Sequence, residues 1–325
     1  MPTPSPKKEV LAADVMLAGD VLRVVHSGLP ELKAQNAEEA LFELRAEHEA
    51  FRTFLNTAPN GNAMINSCLL YPPSGDGTDG TLFLASQFAY APLAGTALMA
   101  AATVLADEGK LARTGDKTAS ENSCNPENSC NTVILETARG LEQVDLVLEN
   151  GLVASASWAT QQPEMLAPGV ELVLPDGQTV TPALVHSGLP YLVIAESELG
   201  LSPSSEQFSQ AITELSAQAC ARYPVTEFGV QSDFERYLVM IIRNITPESI
   251  RVLWVSDKGE VANSAGGTGA LAAQLVCERR GLTERGRSLT VEAPGGAFNC
   301  QISDRKATVT SKVEIVSRHL FYHSG

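Results

Sequence analysis

The sequence is short of positive charge: 23 Lys and Arg stand against 38 Asp and Glu, a formal net charge of −15. Nucleic acids and anionic membrane surfaces are bound through basic patches, so neither is expected as a main partner. No run of 18 or more apolar residues occurs, which excludes an ordinary transmembrane helix. The opening segment, Met1 to Glu9, holds neither the apolar stretch nor the small-residue cleavage site of a secretory signal, and residues 1–10 read as a flexible tail. Cysteines are few and scattered. Cys68, Cys124, Cys130, Cys220, Cys277 and Cys300 are spread through a chain long enough to build a core without disulfides, which points to a reducing, cytoplasmic compartment.

What is present is an ordinary globular composition, 44% hydrophobic and 19% charged. Its 325 residues fit two domains of about 150 each. Strand patterns alternate with turn signals through Val10–Leu29, Ala63–Pro72, Thr81–Phe88, Thr132–Thr137 and Val144–Trp158. A Glu-, Ala-, Leu- and Arg-rich helix is expected over Ala37–Asn56, with Leu41, Leu44 and Phe51 on its apolar face. The polar stretch Thr114–Asn131, which repeats Glu-Asn-Ser-Cys-Asn, reads as a surface excursion; Cys124 and Cys130 have no His or acidic cluster beside them and make a weak metal signal. The composition break at Gln161–Pro168 marks a domain boundary, giving an N-terminal domain over 11–166 and a C-terminal domain over 167–312. Residues 313–325 are expected to return to the first domain. In the second half a hairpin is expected over Gly169–Val185 and an amphipathic helix over Ser205–Ala221, followed by strands at Tyr237–Arg243 and Ser249–Val255.

Two further stretches organise the chain. Tyr90-Ala-Pro-Leu-Ala-Gly95-Thr96-Ala-Leu-Met-Ala-Ala101 and Asn263-Ser264-Ala-Gly266-Gly267-Thr268-Gly-Ala-Leu-Ala-Ala273 each open an almost wholly apolar helix, stopped by Gly109 and Gly281. Gly95 and Gly267 are 172 positions apart, and His26-Ser-Gly-Leu-Pro30 recurs as His186-Ser-Gly-Leu-Pro190 at a spacing of 160. The repetition implies two similar domains, each a strand-rich shell around one buried helix. A helix start with little side-chain bulk presents unpaired backbone N–H groups and the positive end of the helix dipole, so two such starts suit a cleft that grips a carboxylate from both sides.

With these words in it, the layout resembles the proline racemase family of the diaminopimelate-epimerase-like superfamily, whose members include hydroxyproline 2-epimerases and trans-3-hydroxyproline dehydratases. Asp14 to Pro30 is similar to the family's opening Asp-Thr-His-Thr-Gly-Gly-Glu-Pro and Val-Thr-Ser-Gly-Leu-Pro, and Leu135–Leu141 to its Asp-Thr-Pro-Ala-Gly-Leu. Ser264–Gly269 is similar to its second catalytic turn, Ser-Pro-Cys-Gly-Thr-Gly. The resemblance implies an α/β (α+β) fold of two pseudo-symmetric domains, each a mixed sheet wrapped around a central helix. It also implies an isomerase or lyase that uses no cofactor and no metal. In the family two cysteines on opposite faces of a proline-like substrate take and return the α-proton.

At those two positions this sequence departs from the pattern. The first family turn, Met-Cys-Gly-His-Gly-Thr, falls on Ala91–Thr96, which puts Pro92 at the cysteine position and Ala94 at the histidine. The second cysteine position is Gly266, and the acidic residue expected four positions earlier is Ala262. Asp20 stands where the family has Glu, and Asn62 where it has His. Asp20, Asn62 and Ser264 are therefore the candidate catalytic groups, with Tyr90, Gly95, Thr96, Asn263, Gly267 and Thr268 as candidate substrate-binding positions. His26 and His186, in matching words, suit structural turns. The turns around Pro92–Ala97 and Gly267–Ala273 are also similar to those of phenazine-biosynthesis isomerases, which share the fold and work without cysteines.

The function expected is a cofactor-independent isomerase, lyase or cyclase acting on a proline- or amino-acid-derived carboxylate in an inter-domain cleft, without the two-thiol mechanism. A non-catalytic binding or partner-stabilising protein is the alternative, and a racemase or dehydratase working through another thiol is the third. The expected partner is the small carboxylate itself, with a homodimer left open.

Overall fold

The computed structural model describes residues 7–62, 65–86, 89–91, 94–111, 129–225 and 236–323. Pro92 and most of the Cys124/Cys130 excursion lie outside these residues. The chain forms two compact units, residues 1–158 with 312–325, and residues 159–311. The boundary falls before the Gln161–Pro168 break, because the strand Glu164–Ala167 pairs within the second unit, with Leu184 opposite Ala167.

In the N-terminal unit, β1 (Lys8–Leu17) and β2 (Asp20–Ser27) form a hairpin. Its two-residue loop, Ala18-Gly19, has φ of 46° and 89°, the left-handed pair that matches strand twist in a tight hairpin. Lys8 to Val10 therefore belong to a strand and not to a flexible tail. α1 (Ala37–Glu47) and α2 (Glu49–Asn56) follow, then β3 (Ile65–Tyr71), β4 (Gly80–Ala85), the short β5 (Tyr90–Ala91) and α3 (Gly95–Asp107). β6 (Ser129–Thr137), β7 (Gly140–Glu149) and β8 (Leu152–Thr160) complete the continuous run. The single helix expected over Ala37–Asn56 is two helices. His48, at φ −120° and ψ 23°, leaves helical geometry between them, and this lets α1 bury Leu41 and Leu44 while α2 turns Phe51 and Leu55 inward.

The C-terminal unit starts with β9 (Glu164–Ala167) and a two-residue hairpin, β10 (Leu172–Val173) with β11 (Thr179–Val180). β12 (Ala183–Ser187), β13 (Leu189–Ala195), α4 (Glu196–Leu199), α5 (Phe208–Arg222), β14 (Leu238–Ile245), β15 (Ser249–Val255) and α6 (Gly267–Arg279) come next. β16 (Leu289–Ala293), β17 (Gly296–Ile302) and β18 (Ala307–Lys312) lead to β19 (Glu314–His323), which pairs with β1 in the first unit's sheet.

Laid side by side, the two sheets have one topology. β19-β1-β2-β3-β4-β6-β7-β8 matches β9-β12-β13-β14-β15-β16-β17-β18, with antiparallel pairs throughout except β2/β3, β4/β6 and their counterparts β13/β14, β15/β16, which are parallel. α3 touches β1, β2, β3, β4, β6 and β7, while α6 touches the six equivalent strands. Each helix is 13 residues long. Each also ends in the same motif: Gly109 and Gly281 take left-handed φ of 64° and 69°, and the following amides reach back to Leu105 and Cys277. On the far face of the first sheet, α1 and α2 cover Val10, Ala12, Val25, Leu69 and Phe83. In the second unit, α5 packs Phe208, Ile212 and Leu215 with Leu192, Ile194, Val239 and Ile241. Each such fully buried Leu, Ile, Val or Phe contributes about 1.5–3 kcal/mol.

The topology corrects one part of the sequence argument for duplication. His26 closes β2, whereas His186 precedes the β12–β13 turn, which is the counterpart of Ala18-Gly19. The repeated His-Ser-Gly-Leu-Pro word therefore occupies two non-equivalent places. The helix starts, 172 residues apart, are the register that the fold obeys.

Candidate functional site

The two helix starts are built differently from that of α1. Asn36 caps α1 by accepting from the Glu39 amide, and Glu38 and Glu39 lie in its first turn. α3 and α6 have no side-chain cap and no acidic residue in the first turn. Their first N–H groups have no acceptor within the helix, and no carboxylate of the helix itself offsets the dipole. Both starts are therefore suited to an anion.

In the N-terminal unit four of the expected residues, Asp20, Asn62, Gly95 and Thr96, fall at one end. His26, at the far end of β2, sits 3.1 Å from Glu108, just past the last turn of α3. Six residues back along β2 is about 20 Å, and the helix rises about 18 Å, so Asp20 stands at the end where Gly95 and Thr96 begin. β3 runs parallel to β2 with Ile65 opposite Val21, so the exposed Asn62, three residues earlier, leaves at that same end. Tyr90 does not join them. Its ring is fully buried under α1 and α2, its hydroxyl donates to the His48 carbonyl at 2.8 Å, and Arg45 donates to its own carbonyl.

The start of α6 is a tighter construction. Ser264 is buried, and its hydroxyl accepts from the Gly266 amide at 3.1 Å, folding the turn onto itself. Gly266 has φ 61° and ψ 143°, a conformation that only glycine adopts readily, and no atom lies within 4 Å of where a Cβ would stand. Thr268 shares a hydrogen bond of 2.8 Å with the hydroxyl of Tyr191, a buried residue of β13. Asn263 is exposed, and its carbonyl accepts from the Gly295 amide.

Sequence reasoning missed Tyr191 and Trp158. The Trp158 ring, on β8, lies against Gly95, with ring carbon Cε3 2.2 Å from the place of a Cβ, and its indole N–H donates to Glu142. Val309 on β18 holds the equivalent post beneath Gly267, at 3.3 Å. Aligning the halves on the helix starts does not pair Trp158 with Val309, because Trp158 lies 63 residues past Gly95 and Val309 only 42 past Gly267; the match appears only when β8 is set against β18.

Four thiols are described, three of them inside the cores of the two units. Cys68 on β3, Cys277 on α6 and Cys300 on β17 are fully buried, and burial pushes each thiol up, that of Cys277 to about 12. Half-buried Cys220, on α5, is also raised by burial. A thiol held protonated in the core is a poor base at neutral pH.

The proline racemase family model matches residues 12–319. Among curated proteins, a proline racemase of Clostridioides difficile is 24% identical over 209 residues, covering 64% of this chain and 58% of that protein. The first curated relatives are matched over 56 to 57% of their length, so the chain spans under two thirds of them. A solved structure described as a hydroxyproline epimerase from Agrobacterium vitis, with bound trans-4-hydroxy-L-proline, superposes with a TM-score of 0.74 at 19% identity, covering 98% of this chain and 94% of that one. A phenazine-biosynthesis family protein of Bacillus anthracis shares the fold more distantly, with a TM-score of 0.60 at 10% identity over 97% and 99% of the chains.

Proposed function

This chain belongs to the proline racemase family, and on that footing we propose that it is a divergent member: a cofactor-independent isomerase, lyase or cyclase for a proline- or amino-acid-derived carboxylate. The observation that carries the reading is the pair of equivalent helix starts, uncapped and without acids, at the beginnings of α3 and α6. A carboxylate is the ligand whose charge those backbone N–H groups complement. The chemistry differs from the two-thiol route. Gly266 has no side chain to exchange a proton, and Pro92 holds the other cysteine position. The polar groups at the helix starts are Asp20 and Asn62 in the first unit and Ser264 in the second, so the substrate is one already prone to lose or shift a proton, directed by hydrogen bonding and shape.

Titration calorimetry and thermal shift with L-proline, trans-4-hydroxy-L-proline and their dehydrated imino acids test this reading. Binding with a rise in melting temperature is expected. No heat and no shift with any of them would sink it. Proton NMR in heavy water then separates the routes: α-deuteration of proline abolished by thiol alkylation would restore the two-thiol reading against this one.

A non-catalytic role draws on one specific contact. Trp158 accounts for Gly95 by packing alone, so the glycine at the start of α3 needs no ligand to explain it. Co-purification with an active family member, with no ligand binding by the isolated chain, is the outcome that favours it.

A further inference from the structure

A buried network at the meeting of β1, β2 and β19 leads directly to the segment that carries Asn62. Arg23 is 3% exposed, in the middle of an apolar strand. Its Nε donates to Asp14 Oδ1 at 2.8 Å and one terminal nitrogen to Oδ2 at 3.1 Å, a two-point grip that fixes the plane of the guanidinium. Phe321 of β19 stacks against that plane, 5.1 Å from the guanidinium carbon to the ring centroid. His319 Nε2 meets Asp14 Oδ2 at 2.9 Å and lies parallel to Phe321, with centroids 5.3 Å apart. Ser317 is also 2.9 Å from that same nitrogen. A Ser-His-Asp relay needs both ring nitrogens, one toward each partner, so these three residues are not a hydrolytic triad.

The remaining terminal nitrogen of Arg23 donates to the carbonyl of Asn60. That carbonyl belongs to the turn in which the Asn60 and Gly61 amides both return to Thr57 and the Ile65 amide reaches Asn62. Asn62 is two residues beyond the pinned carbonyl. Resting on the function proposed above, we infer that Arg23 is a positioning residue: oriented by Asp14 and by the His319–Phe321 pair of the last strand, it fixes the turn that presents Asn62 at the end of the unit where α3 begins. The alternative is that the ion pair only holds the three strands together.

Hydrogen exchange and calorimetry on the full chain distinguish the two. Arg23→Lys keeps a charge for Asp14 and gives up the planar fork. It is expected to raise exchange of the Gly61 and Ile65 amides on the order of tenfold, while the amides of α3 and α6 keep their protection. If the wild type binds L-proline or trans-4-hydroxy-L-proline, Arg23→Lys is expected to weaken that binding on the order of tenfold or more. His319→Gln, which still offers Asp14 a donor, is expected to bind as the wild type does, and His319→Ala to weaken binding. Unchanged exchange from Asn60 to Ile65 in Arg23→Lys overturns the inference, as does exchange that rises uniformly across the unit. A wild type that binds neither these two nor their dehydrated imino acids overturns the proposed function, and the exchange pattern still decides whether Arg23 pins the turn.

Discussion

The Trp158 ring fills the space that a side chain on Gly95 would need, with Cε3 2.2 Å from the Cβ position. Gly95→Ala therefore forces either the ring or the start of α3 to move. A loss of about 1–3 kcal/mol is expected from urea unfolding. Trp158→Val, which copies the Val309 arrangement, should absorb the added methyl, so a double-mutant cycle is expected to show coupling of about 1 kcal/mol or more.

At the other helix start the obstacle is backbone conformation and not space. Gly266→Cys has room for its β-carbon, yet φ of 61° with ψ of 143° strains any such residue. A cost of about 1–3 kcal/mol is expected on thermal unfolding. On the resemblance that sets Pro92 at the other cysteine position, the added thiol is not expected to produce α-deuteration of proline in heavy water.

The Tyr191–Thr268 bond ties β13 to the first turn of α6. Thr268→Val leaves the buried tyrosine hydroxyl without this partner and is expected to cost about 1–3 kcal/mol. Adding Tyr191→Phe removes the other half of the pair, so a double-mutant cycle read from denaturation midpoints is expected to show coupling between the two positions.

Acid should act in two steps. Burial holds His26 below the ordinary 6.5, helped by the Lys110 and Arg318 charges and opposed by Glu108. The unfolded chain then takes up the proton first, so stability falls as pH drops below 6.5 toward the folded value. Burial would raise the Asp14 carboxyl, but the hydrogen bond and charge of Arg23, followed by His319, hold it below the ordinary 3.8. Its contribution is intact above 3.8 and is lost as pH falls through the lower folded value. In urea midpoints measured against pH, His26→Gln should remove the upper step and Asp14→Asn the lower.

The buried helices were legible because their information is local: an apolar run, a small-residue start and a glycine stop each act within a few residues. The same holds for the β1–β2 turn, which Gly19 marks, although the sequence points to Gly19-Asp20 and the loop is Ala18-Gly19. Trp158 was not legible, since its partner Gly95 is 63 positions away and nothing near either residue announces the contact. Nor was the break at His48, because helix propensity runs unbroken through Glu47-His48-Glu49 and only the core decides which face turns inward. Tyr90 looked like a cleft residue by its closeness in sequence to Gly95, yet β5 pairs with β4 and sends the ring under α1 and α2. Arg23 did leave a trace, a lone charge inside Val-Leu-Arg-Val-Val, which in a buried strand demands a partner.

During synthesis the order of completion is reversed relative to the order of translation. The C-terminal unit is continuous over residues 159–311, so all its strands are available before the first unit has its last one. β1 remains an open edge, with Asp14 and Arg23 lacking His319 and Phe321, until residues 314–323 emerge and β19 docks. A chain released short of residue 314 would present a finished second half joined to a first half whose sheet edge is still exposed, the segment on which chaperone attention and misassembly would concentrate.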